Sequence, residues 1–135
     1  PIDRRPEQWE ESWGKYITEA QLATLEAHIK AGVGVESACI AAGLRPAQVR
    51  HWITSWKAGK VGPRSAMYPF LSYMMAGVQA AEATSEAFML NAVFSGAAGY
   101  DVAEERRTGQ RVPYKGDWRA AVWYLAVKFP GVYQS

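Results

Sequence analysis

The sequence predicts a mainly α-helical protein: an N-terminal helix-turn-helix domain, a long oligomerisation helix, a small β-hairpin and a C-terminal helix. Three observations support this fold class. Residues 35–56 place small and apolar side chains at the spacing of two helices that cross at a short turn. Residues 69–97 carry a continuous helical pattern of apolar residues, and Asp117 precedes a further apolar stripe as a helix N-cap would. The expected domains are residues 1–60, a linker over 61–68, and residues 69–135.

The first domain is expected to contain three main helices. Thr18 and Gln21 have the spacing of a capping box, which places the start of a helix at Glu19. Gly43 falls where the chain must turn between the next two helices, and Pro46 suits the first turn of the last one, which runs to Lys57. The side chains expected to be buried in the crossing are Ala38, Cys39, Ala42, Leu44, Val49 and Trp52.

The long helix over residues 69–97 is expected to pack against other copies of the chain. Its apolar and small residues recur at alternating steps of three and four, which is a heptad-like seam. The alternative is that this helix is buried within one subunit. However, a chain of 135 residues has little other structure against which a helix this long and apolar could pack. The residues assigned to the oligomerisation surface are Leu71, Met74, Val78, Ala81 and Phe88.

Two further elements are expected after this helix. Residues 100–114 resemble a small, charged β-hairpin with its turn at Thr108 and Gly109. Asp117 then caps a last helix over residues 117–129, which Pro130 and Gly131 end. Its apolar stripe is Trp118, Val122, Leu125 and Phe129.

Positive charge is concentrated on and after the proposed recognition helix. Residues 1–36 hold four basic and seven acidic residues, residues 37–81 hold five basic and no acidic residue, and residues 82–135 hold six of each. A solvated basic face would have the same composition. The acid-free stretch coincides with the turn pattern, however, and this favours contact with double-stranded DNA.

The helix that begins at Pro46 would be the one that enters the major groove. Arginine can read guanine and glutamine can read adenine, so Arg50 and Gln48 are the favoured base-reading side chains. Few cations per chain predict modest affinity for a single domain, so several domains are expected to share one DNA. The predicted DNA-binding residues are Arg45, Gln48, Arg50, His51 and Thr54, with Lys57, Lys60 and Arg64 placed for phosphates.

Catalytic, metal-binding and membrane-spanning signatures are not found in the sequence. It has no GxxxxGK[ST] phosphate loop, and two histidines with one cysteine are too few for the usual structural zinc site. No apolar run reaches the roughly 18 residues that span a bilayer. A lone cysteine fits a reducing cytoplasm. We therefore expect no catalytic residue, metal or cofactor, and no membrane partner.

The order of elements and the C-terminal segment together resemble the small terminase subunits of tailed bacteriophages. The segment Asp117-Trp118-Arg119-Ala120-Ala121, followed by Trp123, Tyr124 and Phe129-Pro130, is similar to a DWRAA…W.L…FP stretch common in that group. The likeness extends from about Thr18 to Tyr133. It is carried by the combination of this segment with the helix-turn-helix, which many regulators also have.

The resemblance implies a non-enzymatic subunit of a DNA-packaging motor in the cytoplasm of an infected bacterial host. Such subunits recognise the packaging site, form rings through their central helices, and recruit the large terminase subunit, which carries the ATPase and nuclease. Many members continue past the point that corresponds to Ser135 with a segment that contacts the large subunit, so the resemblance does not assign that contact here. The alternatives are a dimeric helix-turn-helix transcription regulator of phage or prophage origin and a scaffold that binds no nucleic acid.

Overall fold

The computed structural model describes residues 5–133, and this part of the chain is helical. Contacts divide it into two compact units, which we call the N-terminal and C-terminal units; their boundary lies between Ala83 and Thr84, inside the longest helix. No helix in the described range combines the length and apolar character needed to cross a membrane. The helices are α1 (Trp9–Ser12), α2 (Glu19–Lys30), α3 (Val35–Ala41), α4 (Pro46–Lys57), α5 (Tyr68–Ala98), α6 (Val102–Thr108) and α7 (Trp118–Lys128).

Local signals set the helix bounds of the N-terminal unit as predicted. The Thr18 hydroxyl accepts a hydrogen bond from the Gln21 amide at 3.0 Å, and the Gln21 side chain accepts one from the Thr18 amide at 3.0 Å. This capping box confirms that α2 begins at Glu19. Gly43 has φ +73, a left-handed conformation that glycine adopts without strain, and it reverses the chain between α3 and α4. The side-chain amide of Gln21 donates to the Gly43 carbonyl at 3.4 Å and ties this turn to α2.

An aromatic cluster forms the centre of the N-terminal unit. Trp9 and Trp13 meet edge to face, with ring centres 5.0 Å apart, and Trp13 and Trp52 both pack edge to face on Phe70 of α5. The Trp9 indole N–H donates to the buried Ile17 carbonyl at 2.9 Å, so the short α1 is fastened to the start of α2. These contacts bring residues before α2 and the first half of α5 into one core.

This core corrects two expectations. Leu71, Met74, Val78 and Ala81 were assigned to an interface between subunits, but each is at most 2% exposed within the single chain. They belong to one core cluster with buried residues of α1, α2, α3 and α4, so the single chain does offer this helix a partner surface. The segment 61–68 is not a boundary between units either, because it lies inside the N-terminal unit and packs two of its side chains, Val61 and Met67, against the core.

The C-terminal unit corrects a third expectation, since the predicted hairpin over residues 100–114 is a short helix. Asp101 caps α6 by accepting a hydrogen bond from the Glu104 amide at 3.0 Å, and Gly109 ends the helix with φ +76. Only an isolated antiparallel bridge between Tyr100 and Pro113 has strand character in the described residues.

The remaining contacts of this unit join α6 and α7 to α5. The hydroxyl of Ser95, which is fully buried, accepts a hydrogen bond from the first amide of α6, that of Val102, at 2.9 Å. Asp117 caps α7 as predicted, by accepting from the Arg119 amide at 3.0 Å. The buried residues of α7 are Ala121 and Leu125, whereas Trp118 and Val122 of the predicted stripe stay more than 40% exposed.

Candidate nucleic-acid interface

The solvent-facing side of α4 carries the residues predicted to contact DNA. Val49 and Trp52 anchor the opposite side in the core, with 1% and 8% of their surfaces exposed. At 3.6 residues per turn, this places His51 and Thr54 near the middle of the exposed side, with the small Ala47 on the same stripe. The predicted side chains on and around α4 are all exposed: Arg45, Gln48, Arg50, His51, Thr54, Lys57, Lys60 and Arg64.

Arg50 and Gln48 lie on the two flanks of this stripe rather than at its centre. Two residues along an α-helix correspond to a rotation of about 200°, so the two side chains point to opposite edges. Arg50 also forms an ion pair with Glu36 of α3, with a nitrogen–oxygen distance of 3.5 Å. Exposed pairs of this kind contribute about 0–1 kcal/mol, so a phosphate or a base edge can displace the carboxylate.

The sequence argument missed Glu36. This residue lies one position before the acid-free stretch of residues 37–81. The first turn of α3 brings its carboxylate back to Arg50, so the acid-free stretch in the sequence is not an acid-free surface. A signal was available, because the pair of crossing helices predicted over residues 35–56 already placed Glu36 in the first of the two helices.

Three further cations lie at the end of the recognition-helix candidate and directly after it. Lys57 lies in the last turn of α4, where a positive charge complements the helix dipole. Lys60 and Arg64 lie in the connection to α5 and are exposed. In the described part of the chain, Lys57, Lys60 and Arg64 have no ion-pair partner, so their charges are available to an anionic ligand.

Two grooves border α4, one along each flank of its exposed stripe. The larger, of about 700 Å³, is polar and is lined by Lys15 and Tyr16 of the α1–α2 connection together with Arg45 and Gln48. We call it the polar groove. The smaller, of about 260 Å³, is mainly apolar and is lined on the other flank by Val35, Glu36, Pro46, Arg50, Ile53 and Thr54. We call it the apolar groove.

One titratable group near this face, the Cys39 thiol, is buried. Burial raises the pKa of the Cys39 thiol, and the nearby Glu36 carboxylate raises it further, so the thiol is neutral at physiological pH. Among the described residues, no group of three or more His, Cys, Asp or Glu side chains is arranged to hold a metal ion. The arrangement offers hydrogen-bond donors and positive charge to a ligand.

The C-terminal unit has a second surface of functional interest. Phe88 and Phe94 of α5 and Trp123 and Val127 of α7 are 57–68% exposed. We refer to these four exposed residues collectively as the apolar face. In the described part of the N-terminal unit, by contrast, Ile40 is the one large hydrophobic residue that is exposed. Of the residues predicted to mediate oligomerisation, only Phe88 belongs to this face.

Comparison of the chain with protein-family models, with curated proteins and with solved structures found no match. Function is therefore inferred from the residues and their geometry.

Proposed function

We propose that this chain is a non-catalytic DNA-binding subunit of the small terminase type. In this proposal α3 and α4 form a helix-turn-helix that binds double-stranded DNA, and many copies act together as a ring. The observation that carries the proposal is the exposed side of α4, where His51 and Thr54 lie between flanking Gln48 and Arg50 and are followed by three cations. Cations and hydrogen-bond donors on one exposed helix are what a DNA duplex requires of its partner.

The recognition helix would lie in the major groove. A helix with its side chains is about 10–12 Å across, which matches a major groove about 12 Å wide. His51 and Thr54 would meet base edges at the floor, and Gln48 and Arg50 would reach bases near the two walls. Lys57, Lys60 and Arg64 would contact phosphates, which supply most of the affinity in a salt-dependent way.

The apolar face supports the multimeric part of the proposal. Most of the exposed large hydrophobic side chains among the described residues belong to the C-terminal unit, and exposed apolar area of this kind can mark a surface that another protein covers. We assign Phe88, Phe94, Trp123 and Val127 to contacts between copies of the chain. The ring would present many weakly binding α4 helices to one DNA and would recruit the large terminase subunit, the ATPase and nuclease, in the cytoplasm of the infected host.

Fluorescence anisotropy of a labelled DNA duplex, titrated at several salt concentrations, tests the DNA-binding part. The double variant R50A/K57A removes from α4 one proposed base contact, worth about 1–3 kcal/mol, and one proposed phosphate contact, worth about 0.9 logarithmic units at 0.1 M salt. Affinity is therefore expected to fall by roughly fiftyfold or more for each engaged α4 helix. The matched control, R106A/K115A, removes two exposed cations from the C-terminal unit and is expected to bind as the wild type does. Absence of duplex binding by the wild-type protein would overturn the proposal and favour a scaffold.

Light scattering of the purified protein tests the assembly part. A mass of many subunits is expected. A dimer at all concentrations would refute the packaging ring and would favour a two-fold transcription regulator.

A further inference from the structure

We propose that the polar groove holds the phosphodiester backbone of one strand of duplex DNA, with Lys15 and Arg45 as its phosphate-binding residues. The site rests on the proposed function, because it requires α4 to be seated on DNA. It adds to the interface Lys15, a residue from the acidic first part of the chain that is not among the residues predicted to contact DNA.

The polar groove is continuous with the exposed side of α4. Arg45 and Gln48 line the groove and also belong to the residues predicted to contact DNA. When a helix lies in the major groove, a sugar–phosphate backbone runs along each of its flanks. The polar groove follows the Gln48 flank, so it lies where one of these backbones would pass.

Lys15 is held in position by the core. Its ammonium lies 5.1 Å from the centre of the Tyr16 ring, over the ring face. Tyr16 in turn packs on Phe70, with ring centres 5.1 Å apart, and edge to face on Trp52 at 6.3 Å. The cation therefore stays exposed on an anchored aromatic platform. Less side-chain entropy remains to be lost when it meets a phosphate.

The charges of the two grooves favour the polar one for an anion. Among the described residues that line the polar groove, Lys15 and Arg45 are charged and none is acidic, although the Glu10 carboxylate approaches the groove at Gly14. The apolar groove on the other flank offers Arg50 already paired with Glu36. A phosphate backbone is therefore better accommodated on the Lys15 side.

The test measures binding of the full chain to a labelled random-sequence DNA duplex as a function of salt. For each engaged subunit, K15Q is expected to weaken binding five- to tenfold at about 0.1 M salt and to lower the salt slope by about 0.9. K15R keeps the charge and is expected to retain the wild-type slope. E10Q removes the carboxylate beside Gly14 and is expected to tighten binding. The matched control is K30Q, which removes an exposed lysine of the same unit that lines neither groove.

The outcomes separate this site from the proposed function. If the wild type binds duplex and K15Q has the same affinity and slope as K30Q, the polar groove is not a backbone site, while DNA binding through α4 stands. If the wild type binds no duplex, the proposed function itself fails. An unchanged thermal melting curve for K15Q shows that any loss of binding is not a loss of fold, as expected for an exposed side chain.

Discussion

Replacement of the two most exposed aromatic residues in the described part of the C-terminal unit should dissociate the proposed assembly without unfolding the chain. Phe88 is 67% exposed and Trp123 is 68% exposed in the single chain. A large aromatic side chain offers roughly 200 Å², so about two thirds of that area, roughly 130 Å² per residue, is free to be covered by a neighbouring copy. At about 25 cal/mol per Å², each is worth roughly 3 kcal/mol and the pair roughly 6 kcal/mol, if coverage is complete.

The expected consequence is a large shift in the concentration at which the protein assembles. About 6 kcal/mol corresponds to a factor of roughly 10⁴ in an association constant. We expect F88S/W123S to have the mass of a monomer in light scattering at concentrations where the wild type is fully assembled. Its helical circular dichroism should be unchanged, because neither side chain is buried.

The matched control is I40S, which removes an exposed hydrophobic side chain of similar exposure, 66%, from α3 of the N-terminal unit. It should leave the assembled mass unchanged. If F88S/W123S keeps the wild-type mass on dilution, or if I40S dissociates the assembly equally well, the assignment of the apolar face to self-association is wrong.

Three further predictions concern stability. In G96A the new methyl group would collide with the Trp118 side chain, so α5 and α7 must separate; we expect a loss of about 1–3 kcal/mol in denaturant unfolding, and an unchanged midpoint would argue against this packing. T18A removes the capping box of α2 and should cost about 1 kcal/mol in the same assay, with S12A as the exposed control. Burial raises the pKa of the Glu26 carboxyl, which lies against Gly77, so the folded state binds the proton more tightly than the unfolded state does. Stability should therefore fall as pH rises from the ordinary pKa of a glutamate carboxyl through the raised pKa, and E26Q should abolish this dependence in melts across that range.

Elements with local signals were predictable from the sequence. The start of α2 at Glu19 follows from a capping box that involves only residues four positions apart or fewer, and the bounds of α4 follow from Pro46 and the glycine that ends it. The exposure of the predicted side chains of α4 follows in turn, because the positions of Val49 and Trp52 fix which side of this helix is buried.

The wrong predictions have the same physical cause: in each case one local sequence signal is compatible with two different structures. A Thr-Gly pair marks a hairpin turn, yet a glycine in the left-handed conformation ends a helix equally well, and Gly109 does the latter. An apolar seam over Leu71–Ala81 requires a partner, but the seam does not say whether the partner is another copy or the core of the same chain. Lys15 and Arg45 are separated by 29 intervening residues, so only the fold brings them to one groove.

The placement of the six tryptophans makes the protein its own optical reporter. Trp9, Trp13 and Trp52 are at most 9% exposed in the N-terminal unit, whereas Trp118 and Trp123 are 41% and 68% exposed in the C-terminal unit. Indole emission shifts to shorter wavelength when water is excluded from the ring. Coverage of the C-terminal pair would therefore shift the emission of the folded protein to the blue, and unfolding of the N-terminal core would shift it to the red. One unlabelled sample can thus distinguish assembly from denaturation by the direction of its spectral change.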